Sequence, residues 1–548
     1  RSSQEALQPA EVWMSQAPVP APSESAGPKR DLGSVDSDML ERLGARLAVG
    51  GGPRESIPVE MPFTGEILGH VPRATAADVG DACGRARGAQ PAWAATSYAE
   101  RAAPFLRFHD VLLERRDEAL DLIQLETGKA RKHAFEEVED AALVARYYAL
   151  HGWGHLRPRR RRGVFPGFTL AREHRHAVGL VGVIAPSNYP LSLAISDAIP
   201  ALLAGNAALV KPDPQTPFTA LWAVDLLYQA GLPADLLQVV VGGGRDVGPA
   251  VVEAVDYLSF TGGTATGRVV ARRAGERLIG CSLELGGKNP MIVLADADLD
   301  RAADGAVRGS FASSGQLCIS VERLYVQASV TAPFIDRFVA RTRSLRLGAE
   351  LDFSADLGSL ASRVQLEKVK SHVDDALDKG ARILAGGTPR PEIGPYFFEP
   401  TILADVTDEM RLCGEETFGP VVAIESFESV EEAIERANAT PYGLNASVWT
   451  RDVAAGRRIS ARIQAGTVNI NEAYGAAWGS IDAPMGGFKD SGVGRRHGAE
   501  GIRKYTEAQT IAVQRGLPLA APPWMGEERY SQVMTRALRL LKRTPGLR

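Results

Sequence analysis

The chain holds four cysteines, Cys83, Cys281, Cys318 and Cys413. They are scattered, with no C-x-x-C pair. That spacing argues against a disulfide scaffold or a Cys-rich zinc site and suits a reducing compartment. A lone cysteine has two readings: an inert buried thiol, or a nucleophile whose thiolate is stabilised by its surroundings. The inert reading is the better one for Cys83, Cys281 and Cys413. Cys318 closes Gly315-Gln316-Leu317-Cys318, just ahead of an apolar run. Glu284 stands 34 residues earlier (318 − 284), in Leu283-Glu284-Leu285-Gly286-Gly287-Lys288-Asn289-Pro290. A carboxylate among leucines and glycines loses solvent, which raises its pKa toward the range of a general base. The competing reading is a surface glutamate in a turn. Asn188, in Ala185-Pro186-Ser187-Asn188-Tyr189-Pro190, offers amide hydrogens to a developing oxyanion. Asn and Pro are equally common turn residues. Glycine-rich Phe260-Thr261-Gly262-Gly263-Thr264-Ala265-Thr266-Gly267 could let backbone approach a pyrophosphate. Its spacing is not G-x-G-x-x-G, and neither is that of Gly242-Gly243-Gly244 with Gly248.

These residues need elements to hold them. Residues 178–285 alternate in period. Val178–Ala185, Ala207–Val210, Leu237–Val241 and Tyr257–Phe260 read as buried strands. Leu191–Ala204, Thr216–Ala230 and Ala265–Ala274 read as helices, the first two stopped by Gly205 and Gly231. Strands alternating with helices make a parallel, doubly wound sheet whose ligands sit at the carboxyl ends of the strands. A second alternating region spans about 290–485, with strands at Met291–Leu294 and Val321–Val326 and helices at Ala302–Ser310 and Ala361–Lys379. From Asp36 to Leu156 the signals are mainly helical, with apolar residues at helical spacing over Asp78–Trp93 and Tyr98–Thr127.

Length and composition bound the function. At 548 residues the chain has room for about three structural units. Lys plus Arg is 62 against 66 Asp plus Glu, which argues against a nucleic-acid binder. No run approaches the ~18 apolar residues of a membrane span, and no secretory signal is recognisable. Residues 1–35 are rich in Pro, Ser, Ala and Gln and read as a disordered tail. Arg157-Pro158-Arg159-Arg160-Arg161-Arg162 reads as an exposed basic loop, with an anion-binding patch as the sharper reading. Arg529–Lys542 reads as a basic amphipathic helix that docks on its own protein or a partner subunit, stays mobile, or touches a membrane surface. His151 and His155 stand at i, i+4, but no third metal ligand is evident.

Five segments in this order, P-S-N-Y-P, F-T-G-G-T, E-L-G-G-K-N-P, G-Q-L-C and Glu415-Glu416-Thr417-Phe418-Gly419-Pro420, resemble the aldehyde dehydrogenase superfamily over about residues 56–515. Within it the chain looks most like bacterial succinate-semialdehyde dehydrogenases. The resemblance implies an α/β fold with a Rossmann-like cofactor domain (36–156 and 178–285) and an α/β catalytic domain (286–485). It also implies a β-hairpin oligomerisation arm (157–177 and 486–515), followed by a C-terminal extension (516–548). Cys318 matches the family nucleophile, Glu284 the general base and Asn188 the oxyanion amide, assisted by the Cys318 backbone N–H. For the cofactor, Ser187, Asn188, Lys211, Asp213, Pro214, Gly262, Gly263, Leu285, Glu416 and Phe418 are implied. Lys211 would meet the adenosine ribose, Gly262 and Gly263 the pyrophosphate, and Glu416 with Phe418 the nicotinamide ribose. Retention of Glu284 favours a carboxylic acid product over transfer to CoA, and argues with Cys318 and Asn188 against a catalytically silent member. The resemblance further implies a cytoplasmic homodimer or homotetramer acting on a small aldehyde.

Two departures bear on ligands. Ser187 replaces the aromatic of the common P-W-N segment. Pro214 stands where NAD-preferring members place a Glu, three residues after the Lys, so a 2′-phosphate meets no repulsion there and NADP is expected beside or ahead of NAD. Several succinate-semialdehyde enzymes hold the distal carboxylate with Arg at positions that here are Ser196 and Ala312. Either another Arg serves, or the substrate is a less acidic aliphatic or aromatic aldehyde. The expected pocket wall is Tyr189, Ser192, Leu193, Leu317, Ile319, Tyr474 and Trp478.

Overall fold

Apolar residues fill both faces of the strands between 178 and 285, which a parallel sheet requires. The computed structural model describes residues 32–164, 168–515 and 519–543. In it, Leu180–Ile184, Ala207–Lys211, Leu237–Val239, Tyr257–Thr261 and Gly280–Glu284 form a parallel sheet. The short strand Gly492–Val493 joins antiparallel beside Gly280–Glu284. The chain grows outward from Leu180–Ile184 on one side, then returns to lay Tyr257–Thr261 on the other. That reversal is a topological switch point, where a crevice opens beyond the carboxyl ends of the strands. Segments 185–190 and 262–263 leave from its two lips.

The second sheet has seven strands, in the order Arg382–Ala385, Thr401–Ala404, Val421–Phe427, Val321–Gln327, Asn289–Val293, Asn445–Trp449, Thr467–Ile470. All pairings are parallel except that of Arg382–Ala385 at the edge. Only residues 285–288 separate the end of Gly280–Glu284 from the start of Asn289–Val293. The carboxyl end of one strand therefore lies close to the amino end of the other. Cys318 precedes Val321–Gln327, and Glu416 with Phe418 precedes Val421–Phe427.

A third, antiparallel sheet joins Arg159–Arg162, Thr169–Ala177 and Thr506–Gln514. The basic segment is thus a strand in large part, not a loop. Glu173 on the neighbouring strand accepts hydrogen bonds from Arg161 (2.6 Å) and Arg175 (2.9 Å), which offsets the charge that obscures the strand in sequence. His155 meets the Tyr147 hydroxyl at 2.8 Å.

Other expectations shift locally. Tyr98–Thr127 is two helices, Tyr98–Glu114 and Arg116–Thr127, joined at Arg115. Leu191–Ala204 is also two, Pro190–Ile195 and Ala198–Leu203. Pro200 has no N–H for the Ser196 carbonyl and its ring crowds that carbonyl, so the helix cannot run through. A hairpin, Ser56–Met61 with Glu66–Pro72, interrupts the region read as mainly helical. Of the segment read as a tail, residues 1–31 lie outside the described residues. The rest is packed: Val35 is buried, and the Ser34 N–H and hydroxyl donate to Asp121, each at 2.8 Å. The C-terminal helix is Glu527–Arg543, and none of its side chains is buried. No helix among the described residues is long and apolar enough to cross a membrane.

Candidate active site

The lip after Ile184 carries Asn188. Its Nδ2 donates to the Gln316 carbonyl at 3.0 Å, which fixes the amide and leaves its second hydrogen for a ligand. Lys129, at the start of the long helix Arg131–Leu156, donates to the Asn188 carbonyl (2.6 Å) and to Glu137 (2.7 Å). The other Glu137 oxygen accepts from the Leu191 and Ser192 N–H groups at 2.8 and 3.2 Å. Both charged side chains are buried. Such a pair is tolerable only when every polar atom is used, and here the loop's own backbone uses them.

Cys318 arrives on a strained turn. Ser313, Ser314 and Gly315 have φ of +53°, +54° and +70°. A Cβ on Gly315 would stand 2.0 Å from the Gly419 carbonyl, so only glycine lets the two segments touch. Across the site, a Cβ on Gly287 would meet the Cys318 carbonyl at 2.4 Å. Asn289 donates to that carbonyl at 2.8 Å. Burial, with Glu416 and Glu284 nearby, pushes the Cys318 thiol up to about 12. Burial is the main cause, and the neighbouring carboxylates add to it; neither favours the thiolate.

Glu284 ends its strand and is buried, and burial pushes its pKa up to about 7. Its Oε1 has no hydrogen-bond partner. Behind it lies a charged cluster that sequence spacing did not reveal. Asp197 accepts from Lys504 (3.0 Å) and the Tyr505 hydroxyl (2.9 Å), and stands 3.4 Å from Arg496. Lys504 also donates to Ser282, two residues before Glu284, at 3.0 Å.

Glu416 accepts from the Gly287 N–H at 2.8 Å, and burial, with Glu322 nearby, pushes its carboxyl up to about 7. Its segment is anchored from below. Buried Glu322 accepts from the Thr417 and Phe418 N–H groups at 2.9 and 3.0 Å and pairs with Lys288. Gln365 donates to the Thr417 and Phe418 carbonyls at 3.1 and 2.7 Å. These bonds hold Phe418 at φ +56°.

The crevice suits a dinucleotide. Buried Lys211 has its ammonium 3.4 Å from the Pro212 carbonyl, a weak contact that leaves donors for a ribose. Asp213 accepts from the Gln215 N–H at 2.9 Å and so closes its own loop, with half-buried Pro214 beside it. Helix Thr264–Glu276 has no side-chain cap, so its first N–H groups remain for an anion. A Cβ on Gly263 would meet no protein atom within 4 Å, so the space above it is open. Gly262 donates its N–H to the Glu284 carbonyl at 3.0 Å. Leu285 packs on Gly267 of that helix, where a Cβ would stand 2.5 Å away. Ser187 is half-buried.

A cavity of about 40 Å³ reaches Cys318 and Asn188, and all seven residues expected in its wall line it. Glu136, Asp140, Met485, Arg496 and His497 line it too, and no sequence signal pointed to them. Glu136 accepts from the Tyr189 and Tyr474 hydroxyls at 3.1 and 2.9 Å. Ser196 donates to Asp140 at 2.8 Å, and neither it nor Ala312 lines the cavity. Among the described residues no cluster of three or more His, Cys, Asp or Glu is set to hold a metal.

Residues 49–511 match the family model described as "Aldehyde dehydrogenase family". A Mycolicibacterium smegmatis protein provisionally named NADP(+) succinate-semialdehyde dehydrogenase is 54% identical over 493 residues, 90% of this chain and 95% of that protein. Among solved structures, an NADP-dependent enzyme of E. coli superposes with a TM-score of 0.82 at 34% identity, over 86% of this chain and 99% of the other. An NAD-dependent aldehyde dehydrogenase of Sinorhizobium meliloti also gives 0.82, at 33% identity, over 87% of this chain and 96% of the other.

Proposed function

The chain belongs to the aldehyde dehydrogenase family, and we propose that it oxidises succinate semialdehyde to succinate, with NADP favoured over NAD. The substrate rests on the name of the 54% identical relative. The chemistry is supported by one observation above all: Cys318 and Asn188 line the same cavity, and Glu284 is a charged neighbour of Cys318.

Cys318 Sγ attacks the aldehyde carbon, and its proton goes to one of the two carboxylates that face it, Glu416 or Glu284. The second Asn188 amide hydrogen and the Cys318 N–H receive the oxyanion of the thiohemiacetal, where preorganised donors stabilise developing charge best. A bound nicotinamide cofactor supplies the acceptor for the aldehyde hydrogen and its electron pair. Lys211 would meet its adenosine ribose, the amino end of Thr264–Glu276 its pyrophosphate, and Glu416 with Phe418 its nicotinamide ribose. The thioester left on Cys318 is opened by water whose proton Glu284 removes. The acid departs and the thiol is restored.

The preference for NADP follows from Pro214 and from Asp213 being turned into its own loop. Residues 36–156 and 178–285 form the cofactor unit, 286–485 the catalytic unit, and 157–177 with 486–515 an arm that pairs subunits into a homodimer or homotetramer. The exposed, basic helix Glu527–Arg543 fits a partner subunit or weak contact with a membrane surface. A broad aliphatic or aromatic aldehyde specificity is the second reading, favoured by the apolar wall of Leu193, Leu317 and Ile319. NADP reduction over a panel of succinate semialdehyde, pentanal and benzaldehyde decides. The highest kcat/KM with succinate semialdehyde supports the first reading, and a higher value with either neutral aldehyde overturns it.

A further inference from the structure

We propose that Arg308 receives the distal carboxylate of the substrate, an inference that rests on the acidic aldehyde proposed above. Arg308 lies in the last turn of helix Leu299–Phe311, four residues and so about one turn ahead of Ala312. Its half-exposed guanidinium stands over the Tyr474 ring, 5.0 Å from the centroid. Tyr474 and Glu136 line the cavity that holds Cys318. Arg308 lines a larger, open cavity of about 460 Å³ beside it, and Trp478 lines both.

The guanidinium is oriented without being consumed. Its carboxylate neighbours, Glu136 and Glu472, lie at 3.5 and 3.6 Å. Charge-assisted hydrogen bonds run about 2.7–2.9 Å, so neither contact is a short pair. Both carboxylates have donors of their own. Glu136 has the two tyrosine hydroxyls, and Glu472 accepts from the Ala473, Tyr474 and Gly475 N–H groups at 2.9, 3.3 and 3.2 Å. A substrate carboxylate can therefore take the guanidinium fork and leave neither glutamate unpartnered. Arg496, which lines the wall of the Cys318 cavity itself, is buried in the cluster behind Glu284, 3.4 Å from Asp197. With Glu136 and Asp140 also in that wall, an anionic substrate needs a cation at the mouth, and Arg308 is placed to supply it.

The test compares succinate semialdehyde with pentanal, an uncharged aldehyde, in the full-length wild type, Arg308→Leu and Arg308→Lys. The readout is the ratio of the two kcat/KM values, in which the active fraction cancels, so a poorly folded variant still reports. In Arg308→Leu the ratio should fall roughly a hundredfold, the scale of a lost charge-assisted pair, with the loss carried by KM for the acidic aldehyde. Arg308→Lys should recover part of it, having charge without the fork. If the wild type prefers succinate semialdehyde and Arg308→Leu keeps that preference within about twofold, well below the loss of one such bond, Arg308 is not the recognising group. If the wild type itself has no preference for the acidic aldehyde, the substrate reading falls and this inference falls with it.

Discussion

Glu284→Gln removes a charge and keeps the shape of the side chain, so it separates two consequences of one buried carboxyl. Burial raises Glu284 from 4.5 to about 7, a difference of 2.5 units. At 1.36 kcal/mol per unit the folded state bears about 3 kcal/mol when this group is ionised. The sign follows from the direction of the shift. Below pH 4.5 both folded and unfolded chains hold the proton and nothing is lost. Between 4.5 and about 7 the unfolded chain ionises first, so stability falls as pH rises, and above about 7 the full cost stands. Glutamine cannot ionise. The variant should therefore unfold at higher temperature than the wild type at pH 8, and the gap should shrink to about a quarter at pH 5. In catalysis the same change removes a general base, a loss of about 10²–10⁴ in the hydrolytic step. Acylation still has Glu416, the other proposed acceptor of the thiol proton, so rapid mixing should show a burst of reduced cofactor close to one per active site, then slow turnover. Wild-type turnover limited by hydrolysis should rise with pH through about 7. A stability gap that is the same at pH 5 and 8, or steady turnover in Glu284→Gln with no burst, would refute the buried-base reasoning.

Other substitutions report on neighbouring parts of the site. Cys318→Ala should abolish turnover while NADP binding, followed by quenching of protein fluorescence, stays unchanged; retained activity would move the nucleophile elsewhere. Pro214→Glu sets a carboxylate near the adenosine ribose and should shift the kcat/KM ratio from NADP toward NAD by roughly tenfold or more. Lys129→Met leaves Glu137 as an uncompensated buried charge and should destabilise by about 3–5 kcal/mol, seen as a lower unfolding temperature that Lys129→Met/Glu137→Gln partly restores.

The residues proposed to do the chemistry were legible because each sits where an apolar run stops. Asn188 follows Leu180–Ile184, Lys211 ends its strand, Glu284 ends another, and Cys318 precedes a third. Period and punctuation carry that information in one dimension. What could not be read depends on residues far apart in the chain. Arg159–Arg162 is a strand because Thr169–Ala177 supplies its ladder and Glu173 its counter-charge, and four arginines have no strand signature of their own. Arg308 carries no signal of its own within the helix read at Ala302–Ser310, since only the fold sets it beside Tyr474 and Glu136. The upward shift of Cys318 was equally invisible, because it comes first from burial and then from Glu416, 98 positions away (416 − 318), and both exist only once the chain is folded.

The clearest case is a trio of buried glutamates that do no chemistry. Each of the three loops proposed to hold cofactor or substrate must leave its sheet with unpaired N–H groups, and a buried N–H demands a partner. Glu137 takes two of them beyond Asn188. Glu322 takes the two of Thr417 and Phe418. Glu126, on helix Arg116–Thr127, takes those of Phe218 and Thr219, each at 2.7 Å, just after the loop of Lys211 and Pro214. A carboxylate has two oxygens, so it can tie down two successive amides, and these three come from rigid helices or a central strand. The arrangement has a thermodynamic cost, visible in Glu126, whose carboxyl burial pushes up to about 8. It gives fixed loop geometry before any ligand arrives, which is what an oxyanion amide and a cofactor clamp require. In sequence each glutamate looks like a solvated position, because glutamate is seldom buried unless paired. The supporting frame of such a site is therefore harder to read from sequence than its reacting groups.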